Sequence, residues 1–219
     1  MKTGIIFDLD GTLLDTLEDL LDATNYALGQ FGFPGRTLPE LRKFVGNGAQ
    51  NQIRLSLPEE TDSEWVSRVL AVYKPYYTAH CQVKTVPYEG ILPQLTLLAG
   101  KYPLAIVSNK PDLAVKALCA EYFPGIFALG EAPECPRKPA PDMVYRAMAQ
   151  IGVETCVYVG DSEVDVLTAR NAGIPCLSVL WGFRDKGDLE KAGADHFCEK
   201  TSDLAEKIEQ LCRISMHKG

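Results

Sequence analysis

Residues 4–13 read Gly4-Ile5-Ile6-Phe7-Asp8-Leu9-Asp10-Gly11-Thr12-Leu13, an apolar run that ends in two carboxylates one residue apart, then a glycine and a threonine. Ile5, Ile6 and Phe7 are branched or aromatic and do not alternate with polar residues. That is the pattern of a strand buried on both faces, as in a parallel sheet. Such a strand delivers the residues after it to the carboxyl edge of the sheet, where open α/β folds bind ligands. If the strand conformation continues, its period of two sends Asp8 and Asp10 to one side and Leu9 to the other. Gly11 permits a tight turn or a close approach to a ligand. Asp and Thr also cap helices, but a cap needs one acid and not this Asp-x-Asp-Gly-Thr order.

The composition sets outer bounds. A 219-residue chain suits one large domain, or a domain carrying an insertion. Hydrophobic residues make up 46% and charged residues 23%, the balance of a globular protein. The formal net charge is -7 with no Lys/Arg cluster, which argues against a nucleic-acid partner. An acidic chain that handled a phosphate would need a metal or a placed lysine to neutralise it locally. Seven cysteines are scattered without a Cys-x-x-Cys pair, so reduced buried thiols are expected rather than a disulfide frame or a zinc site. No apolar run approaches the ~20 residues of a membrane span. Residue 1 runs almost directly into the first strand, leaving no room for a signal peptide, and a cytoplasmic location is expected.

Along the chain, Thr16-Leu17-Glu18-Asp19 has the form of a helix start, and Leu17, Leu20, Leu21, Leu28 and Phe31 follow a helical period up to Gly32. Helical signals continue through Leu38–Phe44, Asn47–Leu57 and Thr61–Cys81, with Pro75 expected to kink or divide the last. Residues 15–84 therefore read as an all-helical insertion. The rest, 1–14 and 85–219, alternates helix and strand: a helix at Ile91–Leu98, strands at Leu104–Val107, Ile126–Leu129, Val157–Val159 and Cys176–Leu180, an edge strand at Asp195–Cys198, and a closing helix through Leu204, Ile208 and Leu211. Pro111 and Pro141 fit the first turns of two further helices. Repeated strand–helix units mean a doubly wound parallel sheet, an α/β fold of Rossmann-like plan.

Reactive residue types recur at predicted strand ends: Asp8 and Asp10, then Ser108-Asn109, then Lys138 in a loop before a helix, then Gly160-Asp161 with Asp165 four residues on. Singly, each has a plain reading. Ser108 could cap the next helix, Lys138 could be a solvated loop lysine, and Ser162-x-x-Asp165 could be a capping box. Together, and in this order, the four signals resemble the motifs of the haloacid dehalogenase superfamily, whose members are mostly phosphatases. The helical insertion resembles the cap that many of them carry between the first and second motifs.

That resemblance implies a Mg²⁺ cofactor held by the carboxylates of Asp8 and Asp161 and the backbone carbonyl of Asp10, with Asp165 ordering the metal shell. Mg²⁺ prefers oxygen donors and would relieve the repulsion among gathered acids. It further implies Asp8 as a nucleophile that forms an aspartyl phosphate, and Asp10 as acid and then base. Lys138, Ser108 and the amides near Asn109 would hold the phosphoryl oxygens, and Thr12 would steady Asp10 or the phosphate. In the insertion, Gly46-Asn47-Gly48 resembles the substrate loop of phosphoglycolate phosphatases; it reads equally as an anion-presenting loop or as a simple loop and helix cap. It lacks the arginine usual there in β-phosphoglucomutases. The expectation is a phosphatase of a small phosphorylated metabolite, monomeric or homodimeric. The alternatives are a sugar phosphomutase or a pyrophosphatase, and, outside enzymology, a phospho-acceptor signalling module.

Overall fold

A computed structural model describes residues 2–216. The first buried strand is β1, Thr3–Phe7. A two-residue strand β2, Leu14–Asp15, leads into four helices: α1 Leu17–Gly29, α2 Leu38–Phe44, α3 Gly48–Ser56 and α4 Glu64–His80. The chain returns through β3, Val86–Pro87, which pairs antiparallel with β2. There follow α5 Ile91–Ala99, β4 Leu104–Pro111, α6 Asp112–Tyr122, β5 Phe127–Glu131, α7 Asp142–Ile151, β6 Thr155–Gly160, α8 Glu163–Ala172, β7 Cys176–Val179, α9 Lys186–Ala192, β8 Phe197–Cys198 and α10 Leu204–Met216.

The six long-sheet strands lie in the order β5-β4-β1-β6-β7-β8 and pair in parallel throughout. β1 is central because Ile5, Ile6 and Phe7 have no exposed surface and can only be housed between neighbours and under helices on both faces. The chain first builds outward from β1 through β4 and β5, then returns to the other side for β6, β7 and β8. The strand order thus reverses around β1, and the crevice at such a reversal is where this architecture binds ligands. β4, β1 and β6 are adjacent there, so their carboxyl ends bring Ser108, Asp8 and Asp161 together.

Several local expectations are corrected. Pro75 does not divide α4, which runs unbroken from Glu64 to His80. An interior proline costs about 3 kcal/mol, but Tyr73 and Tyr77 on either side are buried and stacked, and that packing outweighs the penalty. The acid of Thr16-x-x-Asp19 does not cap α1. Buried Asp19 instead accepts hydrogen bonds from the N–H groups of Val83, Lys84 and Thr85 and from the Thr85 hydroxyl. It pins the returning segment to the outgoing helix beside β2 and β3. Pro111 and Pro141 precede α6 and α7 rather than lying in their first turns. The strands β2 and β3 and the seven-residue α9, which buries only Leu189, carry no apolar pattern long enough to read in sequence.

All seven cysteines are free thiols, six of them buried. Among the described residues no helix is long and apolar enough to cross a membrane.

Candidate active site

β1 ends at Phe7 and the next residues change direction. The N–H groups of Leu13 and Leu14 both donate to the Leu9 carbonyl, folding Leu9–Leu14 into a tight loop. Gly11 sits in this loop at φ 79°, and a Cβ there would overlap the Asp161 carboxylate. The Asp-x-Asp-Gly order is thereby explained: the glycine lets β1 and β6 present acids to one space.

Asp8, Asp161 and Asp165 offer carboxylate oxygens within 4.8 Å of one another, and all three are buried. Asp8 Oδ1 accepts from the Leu9 N–H and lies 2.9 Å from Lys138 Nζ, whereas its Oδ2 accepts no hydrogen bond from a described residue. Lys138, 1% exposed, also reaches Asp165 Oδ1 at 2.7 Å and the Tyr158 hydroxyl at 3.0 Å. Asp165 Oδ2 accepts from the Ser162 N–H and hydroxyl, so both oxygens of Asp165 are engaged by protein donors. The capping box at Ser162 is real, and it also orients the acid that holds the lysine. Asp161 accepts from the Thr12 hydroxyl at 3.0 Å and the Phe183 N–H at 2.8 Å.

The electrostatics follow from three buried carboxylates sharing one ammonium. Burial, then Asp165, push Asp8 well above the usual carboxylate range, although Lys138 opposes them. Burial and Asp165 likewise push Asp161 up to about 7. For Lys138, burial works against the charge, but Asp165 and Asp8 together raise it above its ordinary value, so the lysine stays charged. A bound cation would offset that carboxylate excess. The donor set is all oxygen, buried and electron-rich, which suits a hard divalent ion and matches Mg²⁺ better than a thiolate- or imidazole-preferring metal.

The second acid is held separately. Asp10 Oδ1 accepts from the Thr16 hydroxyl at 2.6 Å and lies 2.8 Å from Lys110 Nζ. Of the two partners expected for Thr12, Asp10 or the phosphate, Asp10 is not the one it meets: its hydroxyl donates to Asp161, and Thr16 donates to Asp10. Asp8 and Asp10 line one cavity of about 30 Å³, with Ser108, Asn109, Gly46 and Gly48 also in its wall. Asn47, expected in the same loop, is exposed and is not part of the wall. Asn109 acts through its side chain: Nδ2 donates to the carbonyls of Lys138 and Gly46, and Oδ1 accepts from the Lys138 N–H. One amide thus fixes the lysine loop and touches the helical insertion.

Sequence reasoning missed several residues. Lys110 and Tyr73 line the cavity, as does Gln52, which donates to Thr24 Oγ1 at 2.9 Å. Arg42 of α2 donates to the carbonyls of Gly182 and Phe183, while Arg184 donates back to the carbonyls of Arg42 and Val45 and pairs with Glu163. These reciprocal arginines clasp the insertion to the loop after β7. The Phe183 peptide that receives Arg42 also donates to Asp161. Only the Ser108-Asn109-Lys110 adjacency was visible in the sequence; the arginine partners lie some 140 residues apart.

Comparisons with known proteins place the chain in a family. The family described as haloacid dehalogenase-like hydrolase matches residues 5–179. The phosphoglycolate phosphatase of Mesorhizobium japonicum is 33% identical, over 93% of this chain and 95% of its own. Phosphoglycolate phosphatase 1 of Pseudomonas aeruginosa is 29% identical, over 96% and 81%. A crystal structure from Lactobacillus delbrueckii subsp. bulgaricus superposes with a TM-score of 0.88 at 42% identity, covering 95% of this chain and 99% of that one. A haloacid dehalogenase-like family hydrolase from Streptococcus pneumoniae gives a TM-score of 0.84 at 26% identity, over 94% and 97%. With a matching fold, acid-ended central strand and buried lysine, the chain belongs to the haloacid dehalogenase-like hydrolases.

Proposed function

We propose that this phosphoric monoester hydrolase is a Mg²⁺-dependent phosphatase of a small phosphorylated metabolite, with 2-phosphoglycolate the leading substrate. The observation that carries the reading is the pair Asp8 and Asp10 in the wall of one small cavity. Asp8 has an unengaged oxygen, and Asp10 is held apart from it by Thr16 and Lys110. A carboxylate needs no base to activate it, so Asp8 can attack phosphorus directly. The new Asp8 O–P bond forms as the bond from phosphorus to the bridging oxygen breaks, and Asp10 passes a proton to the departing oxygen. Water then attacks phosphorus, Asp10 takes its proton, and phosphate leaves Asp8 as a free carboxylate.

The residues fitted to hold the metal are Asp8, Asp161 and the Asp10 carbonyl, with Asp165 ordering the shell through Ser162 and Lys138. Bound there, Mg²⁺ supplies charge neutralisation for the phosphoryl group. The Ser108 hydroxyl, in the cavity wall, would meet an equatorial oxygen, where charge accumulates, and Lys138 would offset that charge from beside Asp8. We read residues 15–84 as a cap that excludes water from the acyl phosphate. The free buried thiols accord with a reducing, cytoplasmic setting.

The loop Gly46-Asn47-Gly48 of the insertion, whose two glycines stand in the cavity wall, lacks the arginine usual there in β-phosphoglucomutases, and this favours a phosphatase over a sugar phosphomutase. The relatives named as phosphoglycolate phosphatases support the same choice. The test is phosphate release from a panel of 2-phosphoglycolate, hexose phosphates, nucleotides and pyrophosphate, with Mg²⁺ and with EDTA, by wild type and Asp8→Asn. Release from 2-phosphoglycolate that needs Mg²⁺ and Asp8 is the expected result. Turnover indifferent to chelation, or near-normal turnover by Asp8→Asn, would overturn the mechanism, and a preference for hexose phosphates or pyrophosphate would overturn the substrate.

A further inference from the structure

Lys110 is a second buried ammonium in this site, and the phosphoryl chemistry above gives it no contact with the substrate. Its side chain is 2% exposed. An ammonium carries three N–H donors. One faces Asp10 Oδ1 at 2.8 Å, and one goes to the Tyr77 hydroxyl, whose ring centroid lies 4.4 Å from Nζ. No third acceptor is found among the described residues. Lys110 nevertheless lines the same cavity as Asp8 and Asp10, and it is the single cation among the lining residues. The wall also carries Leu20, Val45, Ala49 and Tyr73, beside the neutral polar side chains of Gln52, Ser108 and Asn109. A buried ammonium with a spare donor is a costly arrangement, unless something in the cavity brings an acceptor to it.

From this geometry we infer that Lys110 is the specificity residue of the site: its free donor binds a carboxylate on the leaving group. The enzyme thereby selects phosphorylated 2-hydroxy acids over phosphomonoesters with neutral leaving groups. The inference rests on the phosphatase reading above and adds a selector to it. In a phosphorylated 2-hydroxy acid, one carbon separates the bridging oxygen from the carboxylate. The groups that contact those two points must therefore lie side by side. Asp10, which serves the bridging oxygen, and Lys110, 2.8 Å from it, satisfy that condition. Lys138 cannot take this role, because Asp8, Asp165 and Tyr158 already occupy it on the phosphoryl side. Tyr77 holds Lys110 from α4, so the selector is assembled only when the helical insertion is seated on the sheet.

The test compares 2-phosphoglycolate with ethyl phosphate, whose leaving group lacks the carboxylate. Wild type is expected to prefer 2-phosphoglycolate. In Lys110→Met the kcat/KM for 2-phosphoglycolate falls by about 10- to 100-fold more than that for ethyl phosphate, the size expected for a lost charge-assisted hydrogen bond. If Lys110→Met does not fold, wild type carries the test through competition: glycolate should inhibit ethyl phosphate hydrolysis far more strongly than ethanol does. An equal loss on both substrates would reduce Lys110 to a positioner of Asp10 and overturn the inference. So would a wild type that treats the two substrates alike, or glycolate and ethanol inhibiting equally, while the phosphatase reading survived. A wild type that hydrolyses no phosphomonoester would overturn both.

Discussion

Replacing Lys138 by Met removes one ammonium and almost nothing else. The two side chains are similar in length and volume, so the packing term is small. What remains is Asp8 and Asp165, both buried, without the charge that lay 2.9 Å from one and 2.7 Å from the other. Breaking a buried pair by deleting one partner costs about 3–5 kcal/mol, because the survivor is left charged in a poor solvent. Here two survivors face each other. Unfolding entropy near about 2.1 cal/mol/K per residue gives roughly 460 cal/mol/K for this chain, so the melting temperature should fall by about 7–11 °C in EDTA at pH 7.5. Circular dichroism melts of wild type, Lys138→Met and Lys138→Met/Asp165→Asn check this. The double variant removes one of the stranded charges and should recover part of the loss. A melt for Lys138→Met within about 2 °C of wild type would refute the reasoning, and so would a double variant less stable than the single.

Two further predictions concern the metal site and the clasp. Asp8 and Asp161 bind protons more tightly folded than unfolded, so their contribution to stability is fully present below the unfolded pKa and is lost as pH rises through the folded one. The metal-free protein should therefore lose stability between about pH 4 and about pH 7, and Mg²⁺, which displaces those protons, should raise the melting temperature more at pH 8 than at pH 5. Equal Mg²⁺ shifts at both pH values would count against the site. Arg42→Ala and Arg184→Ala each break the same reciprocal contact, so both should raise KM several-fold, and the double variant should cost little more than either single one. Additive losses in kcat/KM would mean that the two arginines act independently.

The helical insertion shows how the site came to be divided between readable and unreadable parts. Its four helices were legible in the sequence, the first from apolar spacing, since a helix must bury one stripe. What those helices do for the chemistry was not: Tyr77 holding Lys110, Arg42 reaching the Phe183 peptide, and Asp19 gripping residues 83–85 are contacts between segments far apart in the chain. Thr16 illustrates the point at shorter range. A threonine before a helix reads as a cap, yet the loop at Gly11 turns its hydroxyl to Asp10.

By itself, then, the sequence determined the parallel sheet, the strand ends at which Asp8, Ser108 and Asp161 stand, and the class of chemistry that four ordered motifs imply. Those signals are local: strand period, turn glycines and acids at strand ends act within a few residues. Only the tertiary structure decided which oxygen of Asp8 is unengaged, that Asp165 holds Lys138, and that a second ammonium waits beside Asp10. Such facts depend on which faces meet across the sheet and the insertion. Charge and hydrogen bonding act over a few ångströms of space, and spacing along the chain does not record that distance.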